Sequence, residues 1–489
     1  AATSLGLQTG KGGTDAFKQA NIGGIKQIIE YLEKRYADSG LAPLDITNEQ
    51  DRDTLSKLLA AEVLAAVRSG GANIQWYDKV IDQMLGMASL KYPELRTDPN
   101  AQAAFRIAIS VTSQGQNVED NLKFGERVYE QFSQNAERGR PRFPEIGTGE
   151  SMQAMQKNFQ LANKMIDKLG MDDFRKFLET PFTVKELNSV GLKIGGELVD
   201  EQVLGSSILG PKIGFGFYSN LSGNFEPVTM DMWFMRTIGR LIGKLRGFDP
   251  AKYAKQVQRF RGSFALSDES GVNGIYANEF SQEEINNAIV DEQAMIDLAR
   301  KVKSKHERDF SKNRDLYDSK QRAKTDFVKS AETIIQSLDK PKDVPASGGE
   351  RRLLRDVARR MRQKVADVTG QDIPPASLQA IVWYPEQELY KALGAKLRVT
   401  SQNYANSMRK LLEGEGFDGD RISESAKLGS RRTRRADAGE IPAGTRPTGR
   451  RPSRTLSAKE REDLLKQRFS LREPAKVIYE VAPDPNNVE

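Results

Sequence analysis

Residues 208–240 read ILGPKIGFGFYSNLSGNFEPVTMDMWFMRTIGR, and the rest of the chain is organised around this stretch. Gly210, Pro211 and Gly214 punctuate a turn whose backbone N–H groups are placed to approach a phosphate. An apolar helix follows through Phe215, Phe217 and Leu221, and Ser222-Gly223-Asn224 breaks it. Pro227-Val228-Thr229 then leads to Asp231 at the start of a second helix, in which Trp233, Phe234, Ile238 and Leu241 recur at helical spacing. Lys212 lies inside the turn, next to the apolar run.

Working outward, Ile109-Ser110-Val111-Thr112-Ser113-Gln114-Gly115-Gln116 places an unusually polar break between two apolar helices. Gln114 or Gln116 there has the amide to read a base edge, and an ordinary capping turn is an equal reading. The loop of residues 136–150 carries Arg138, Arg140 and Arg142, which suit phosphates or a solvated loop. Further upstream, Ile25, Ile28, Ile29 and Leu32 share one helix face, with Gly40 as its stop, and Leu55, Leu58, Leu59, Val63 and Val67 share another. Downstream, Ser281 and Glu284 form a capping box that opens a charged helical region. PKDVPASGG at 341–349 reads as a linker before an arginine-rich helix, and an apolar helix with Trp383-Tyr384 follows.

The turn, Lys212, Asp231 and the Ser113-to-Gln116 break together resemble the helix-hairpin-helix DNA glycosylase superfamily. In that family a Gly-x-Lys turn precedes a Val-Asp-x-His-x-x-Arg segment. The matching residues are Gly210, Lys212 and Gly214, then Asp231 and Arg236, and the lysine points to the bifunctional 8-oxoguanine glycosylase and endonuclease III-like branch. Ser113, Gln114, Gln116, Asn121 and Tyr129 are similar to the early helix pair of the family. The chain departs from the pattern at Ile208, at Met230 and at Trp233, where the family has glycine, valine and histidine.

The resemblance implies an all-α fold with a glycosylase-like core over about residues 100–248. It implies a protein that flips a damaged or modified base out of duplex DNA. Lys212 would attack the sugar as the base leaves, and Asp231 would stabilise the positive charge developing there. Gly210, Gly214, Ser113, Gln114, Gln116 and Arg236 would contact DNA, and Phe215, Phe217 and Trp233 would line the base pocket. No cofactor or metal is expected. The alternative is a DNA-binding protein carried inside a virion, with the fold but without the catalysis.

Composition narrows the chemistry. There is no cysteine, which removes disulfides, thiolate nucleophiles and Cys-ligated clusters, and His306 is the single histidine, which removes Ser-His-Asp triads. His306 lies in the charged run KVKSKHERDF and reads as a solvated residue. The chain is 38% hydrophobic with a mean hydropathy of −0.58, and no apolar run approaches the about eighteen residues of a membrane span. The net charge of +7 is concentrated: residues 431–455 hold eight arginines against Asp437 and Glu440.

The expected organisation is a helical extension over 1–99, the core over 100–248, a charged helical region over 249–340 and a C-terminal helical region over 350–415. An arginine-rich disordered linker over 416–455 and a short helix with a strand-like end over 456–489 complete it. The start at Ala1 and the phrase AKVIYEVAPDPNNVE suggest one module of a larger phage or mobile-element polyprotein. Its setting would be the virion or the host cytoplasm, with the other modules as possible partners.

Overall fold

In the computed structural model, residues 24–68, 76–146, 150–266, 268, 270–272, 279–312, 326–395 and 404–427 are described. The protein is predominantly helical, as expected, and the described residues include one small two-stranded sheet. Among the described residues, no helix is long and apolar enough to cross a membrane. The chain divides into two compact units, each built from discontinuous segments.

The first unit holds residues 44–234 and the described residues from 347 onward. At its centre is the helix Pro99–Thr112, capped by the Asp98 carboxylate, which accepts from Asn100 N at 2.8 Å. Its residues are buried on every side, including Phe105, Ile107, Ile109 and Val111, the pattern of a helix surrounded by others. The helix Val118–Glu137 packs along it, and Gly125 allows the close approach: a Cβ there would lie 3.1 Å from the Ile109 Cα. Two polar pairs tie elements of this core together. Asn121 donates to the Tyr404 hydroxyl at 2.7 Å, and Tyr129 donates to Glu94 at 2.8 Å.

The helix Trp76–Lys91 contributes Val80, Ile81 and Met84 to the same core, and the helix Tyr404–Gly414 adds Tyr404, Met408 and Leu412. Parts of the extension over 1–99 and of the region over 350–415 thus share the core with residues 100–221. A change of composition along the chain marked those boundaries, whereas burial follows contacts between residues far apart in sequence. Residues 419–427 are helical, which corrects the disordered reading at its N-terminal end. The remainder of the arginine-rich segment and the terminal strand-like run lie outside the described residues.

The helix Gly348–Thr369 packs on the helix Glu49–Arg68, with Lys364 on Asp53 at 2.6 Å and Arg52 on Asp356 at 3.1 Å. Pro181–Thr183 pairs antiparallel with Gln202–Leu204, with Phe182 opposite Val203. Thr183 and Glu186 cap each other reciprocally and start the helix Val184–Ser189.

The second unit holds residues 22–43 and 235–346, so the division falls inside the helix Met232–Ile242 and not near residue 248. Its core gathers Phe260, Met295, Leu298, Val302, Phe327 and Ile334, and the Phe260 and Phe327 rings stack at 5.1 Å. Arg246 clasps Glu33 at 2.9 Å and Asp339 at 3.4 Å. The expected Ser281 and Glu284 capping box is present. His306 is buried, at 3% exposure, which corrects the solvated reading. It extends the apolar stripe Met295, Leu298 and Val302 of its own helix, and the charged neighbours in sequence point elsewhere.

Candidate functional site at the Gly210 turn

The turn is built from two short helical segments, Gly205–Leu209 and Pro211–Tyr218, joined at Gly210. Gly210 has φ 100 and ψ 156, a region that residues with a Cβ rarely enter, and Pro211 supplies a preset φ for the first position of the next segment. That segment is wound as a π-helix. Gly214 N and Phe215 N both donate to the Gly210 carbonyl, at 2.9 and 3.3 Å.

Glycines let this unit pack on itself. A Cβ on Gly214 would lie 1.7 Å from the Ser206 carbonyl oxygen, and one on Gly205 would lie 2.0 Å from that of Phe177. A Cβ on Gly216 would meet Thr229 Oγ1 at 2.9 Å, and Asn220 donates to the same hydroxyl at 2.9 Å. The chain beyond Asn224 is thereby folded back on the π-helix. Asp231 follows Thr229 by two residues, and Lys212 precedes Gly216 by about one turn. Lys212 is half-buried, and its side chain makes no hydrogen bond or ion pair among the described residues.

Asp231 stands at a helix N-terminus, as the sequence indicates. Its carboxylate accepts from Phe234 N at 2.8 Å and caps the helix Met232–Ile242. Arg236 directs its Nε and one Nη to Asp343, at 2.7 and 3.2 Å, an ion pair that sequence spacing does not reveal.

The three rings proposed for a base pocket are not equivalent. Phe217 and Trp233 are each 8% exposed; the first packs on Tyr404 at 6.1 Å and the second meets Tyr390 edge-on at 5.4 Å. Both are core rings here. Phe215 is half-buried, and the Arg355 guanidinium lies over its face at 4.9 Å.

The polar break at Ser113 is a capping turn. Ser113 Oγ donates to the Ser110 carbonyl at 2.7 Å and Gln114 Nε2 to that of Val111 at 3.1 Å, while Gly115 takes φ 73 and Gln116 is exposed. In the 136–150 loop, Arg142 pairs with Asp167 at 2.8 Å.

Sequence reading missed the element beside the turn. The loop Gly196 to Glu201 is clasped by the helix Gly348–Thr369: Arg355 pairs with Glu197 at 2.6 Å and Glu201 at 3.2 Å, and Arg352 with Glu201 at 2.7 Å and Asp200 at 2.8 Å. The Glu197 side chain is 1% exposed. Arg352 holds the Asp200 carboxyl below the usual carboxylate range and is itself shifted up, chiefly by Asp200 and then by Glu201. The spacing of Arg355 three and four residues after Arg352 and Arg351 was a usable signal for one basic face, though not for its partner. No protein-family model, curated protein or solved structure matches the chain, so the site stands on its own geometry.

Proposed function

We propose that the protein is a DNA base-excision glycosylase with associated lyase activity, acting at the Gly210 turn. The observation that supports this most is one of arrangement. A glycine-hinged helical pair carries Lys212, half-buried and with no side-chain partner among the described residues, and the Gly216 to Thr229 contact lays the segment leading to the Asp231 cap against the same π-helix. The turn amides suit a backbone phosphate, and a duplex held there would present an extruded nucleotide to the lysine. The Lys212 amine attacks C1′ as the base departs, a Schiff base forms, and elimination breaks the strand. An Asp231 carboxylate that accepts the Phe234 N–H at a helix N-terminus suits charge stabilisation more than proton donation.

Borohydride trapping on duplexes carrying oxidised, deaminated, alkylated or abasic nucleotides tests this. Wild-type protein is expected to give a covalent adduct on at least one substrate, Lys212→Gln none, and Asp231→Asn a much slower reaction. A second reading, a non-catalytic DNA-binding protein of a phage particle, is favoured by the burial of Phe217 and Trp233, which removes two of the three rings for holding a base. Tight, salt-sensitive binding with no adduct on any substrate selects it.

A further inference from the structure

The helix Gly348–Thr369 carries seven cations, and six have carboxylate partners. Arg352 and Arg355 hold the 197–201 loop, Arg359 and Arg360 pair with Asp356, Arg362 with Asp372 and Glu226, and Lys364 with Asp53. The Arg351 side chain makes no hydrogen bond or ion pair among the described residues, and its Nε is buried without a partner. Two features make this costly. Burial pulls its pKa down, and it lies in the first turn of its helix, where the dipole disfavours a cation.

Its position is informative. Gly196, at φ 78, separates Arg351 from the turn: a Cβ there would lie 3.3 Å from Arg351 Nε and 3.4 Å from Pro211 Cγ. Only a residue without a side chain lets the guanidinium come this near to Pro211, the neighbour of Lys212. The Arg351 guanidinium thus stands at the edge of the Gly210 turn, beside Pro211. A guanidinium offers the planar paired donors that a phosphodiester accepts, and such a ligand would supply the missing anion.

We propose that Arg351 is a phosphodiester-binding residue at the Gly210 turn, its guanidinium receiving a backbone phosphate of the DNA held there. This rests on the DNA-processing reading above. It assigns Arg351 to positioning the strand and not to the chemistry.

The test is equilibrium binding of the full chain to a duplex across a salt series. For Arg351→Gln, binding is expected to weaken uniformly across sequences and the log affinity against log salt slope to fall by about 0.9, the contribution of one phosphate. Arg351→Lys should keep the slope, and Arg359→Gln, an exposed member of the same helix, should leave both quantities unchanged. Arg351→Met without DNA should melt at or above the wild-type temperature, since it removes a partly buried cation whose side chain has no hydrogen-bonded partner. A lower melting temperature would mean that the charge holds the fold, and would overturn the proposal. Arg351→Gln with the wild-type slope and affinity overturns it too, while Lys212-dependent trapping survives. A wild-type chain that binds no DNA overturns both this and the glycosylase reading.

Discussion

The helix Gly348–Thr369 and the stretch from Gly205 to Asp231 lie in the same unit and are held by opposite means. The helix is dense in cations and looks, by composition, like the nucleic-acid element of the protein. Its charges are nevertheless taken up internally by carboxylates from the 197–201 loop, the helix Glu49–Arg68, Glu226 and Asp372. The Gly210 stretch has one lysine and little net charge. It is held by backbone approaches so close that they exclude a methyl group, and the Lys212 side chain has no partner among the described residues. Packing through ion pairs consumes charge, whereas packing through glycine leaves charge available.

The sharpest way to break this contrast is Gly214→Ala. The added Cβ meets the Ser206 carbonyl at 1.7 Å, and backbone cannot move aside as a flexible side chain can. A loss of at least about 3 kcal/mol in urea unfolding is expected. Gly414→Ala, at the end of the helix Tyr404–Gly414 with nothing within 4 Å, should leave stability unchanged or slightly raised. Equal effects at the two positions would remove the steric account of the turn.

Next in size is Arg355→Ala, which leaves the buried Glu197 carboxylate uncompensated and should cost about 3 kcal/mol. The double change Arg355→Met with Glu197→Gln should cost clearly less than Arg355→Ala, because no charge is then stranded. A double variant worse than the single would show that the pair is held for its attraction and not merely tolerated.

How much of this was legible in the sequence follows from the same contrast. The all-α character, the stop at Gly40, the capping box at Ser281 and the position of Asp231 at a helix start rest on local rules, and the structure has them. The turn at Gly210 was legible because a glycine followed by proline constrains the backbone within a few residues. The π-winding of Pro211–Tyr218 was not, since it depends on Gly214 and Gly216 meeting Ser206 and Thr229. Nor were the partners of Arg355 and Arg236, which lie far off in sequence, at Glu197 and Asp343. His306 illustrates the reverse: its charged neighbours suggested solvent, while the stripe from Met295 through Val302 already pointed inward.

Asp231→Ala has a smaller expected effect on stability, about 1 kcal/mol, because the change removes the N-cap acceptor for Phe234 N. Asp231→Asn keeps an acceptor and should unfold close to wild type. That makes Asp231→Asn the variant for chemistry: a slower trapping reaction in a protein of unchanged stability separates a role in the reaction from a role in the helix. Equal stability in the alanine variant would mean that the cap contributes nothing.

The smallest expected effect belongs to the charge-paired helix at low pH. Lys364, and after it Lys57, hold the Asp53 carboxyl at about 2, below its ordinary 3.8. A depressed folded-state value means that this contribution is fully present above 3.8 and is lost as pH falls through about 2. Because Asp53 is solvent-accessible, screening keeps the gain small, and the quantity to follow is the titration itself. In Lys364→Met the Asp53 carboxyl resonance should titrate closer to 3.8 but still below it, since Lys57 remains at 2.8 Å. An unchanged titration would show that the Lys364 contact at 2.6 Å does not persist in solution. The helix Gly348–Thr369 would then hold a second cation without a fixed partner, and the contrast with the Gly210 turn would narrow accordingly.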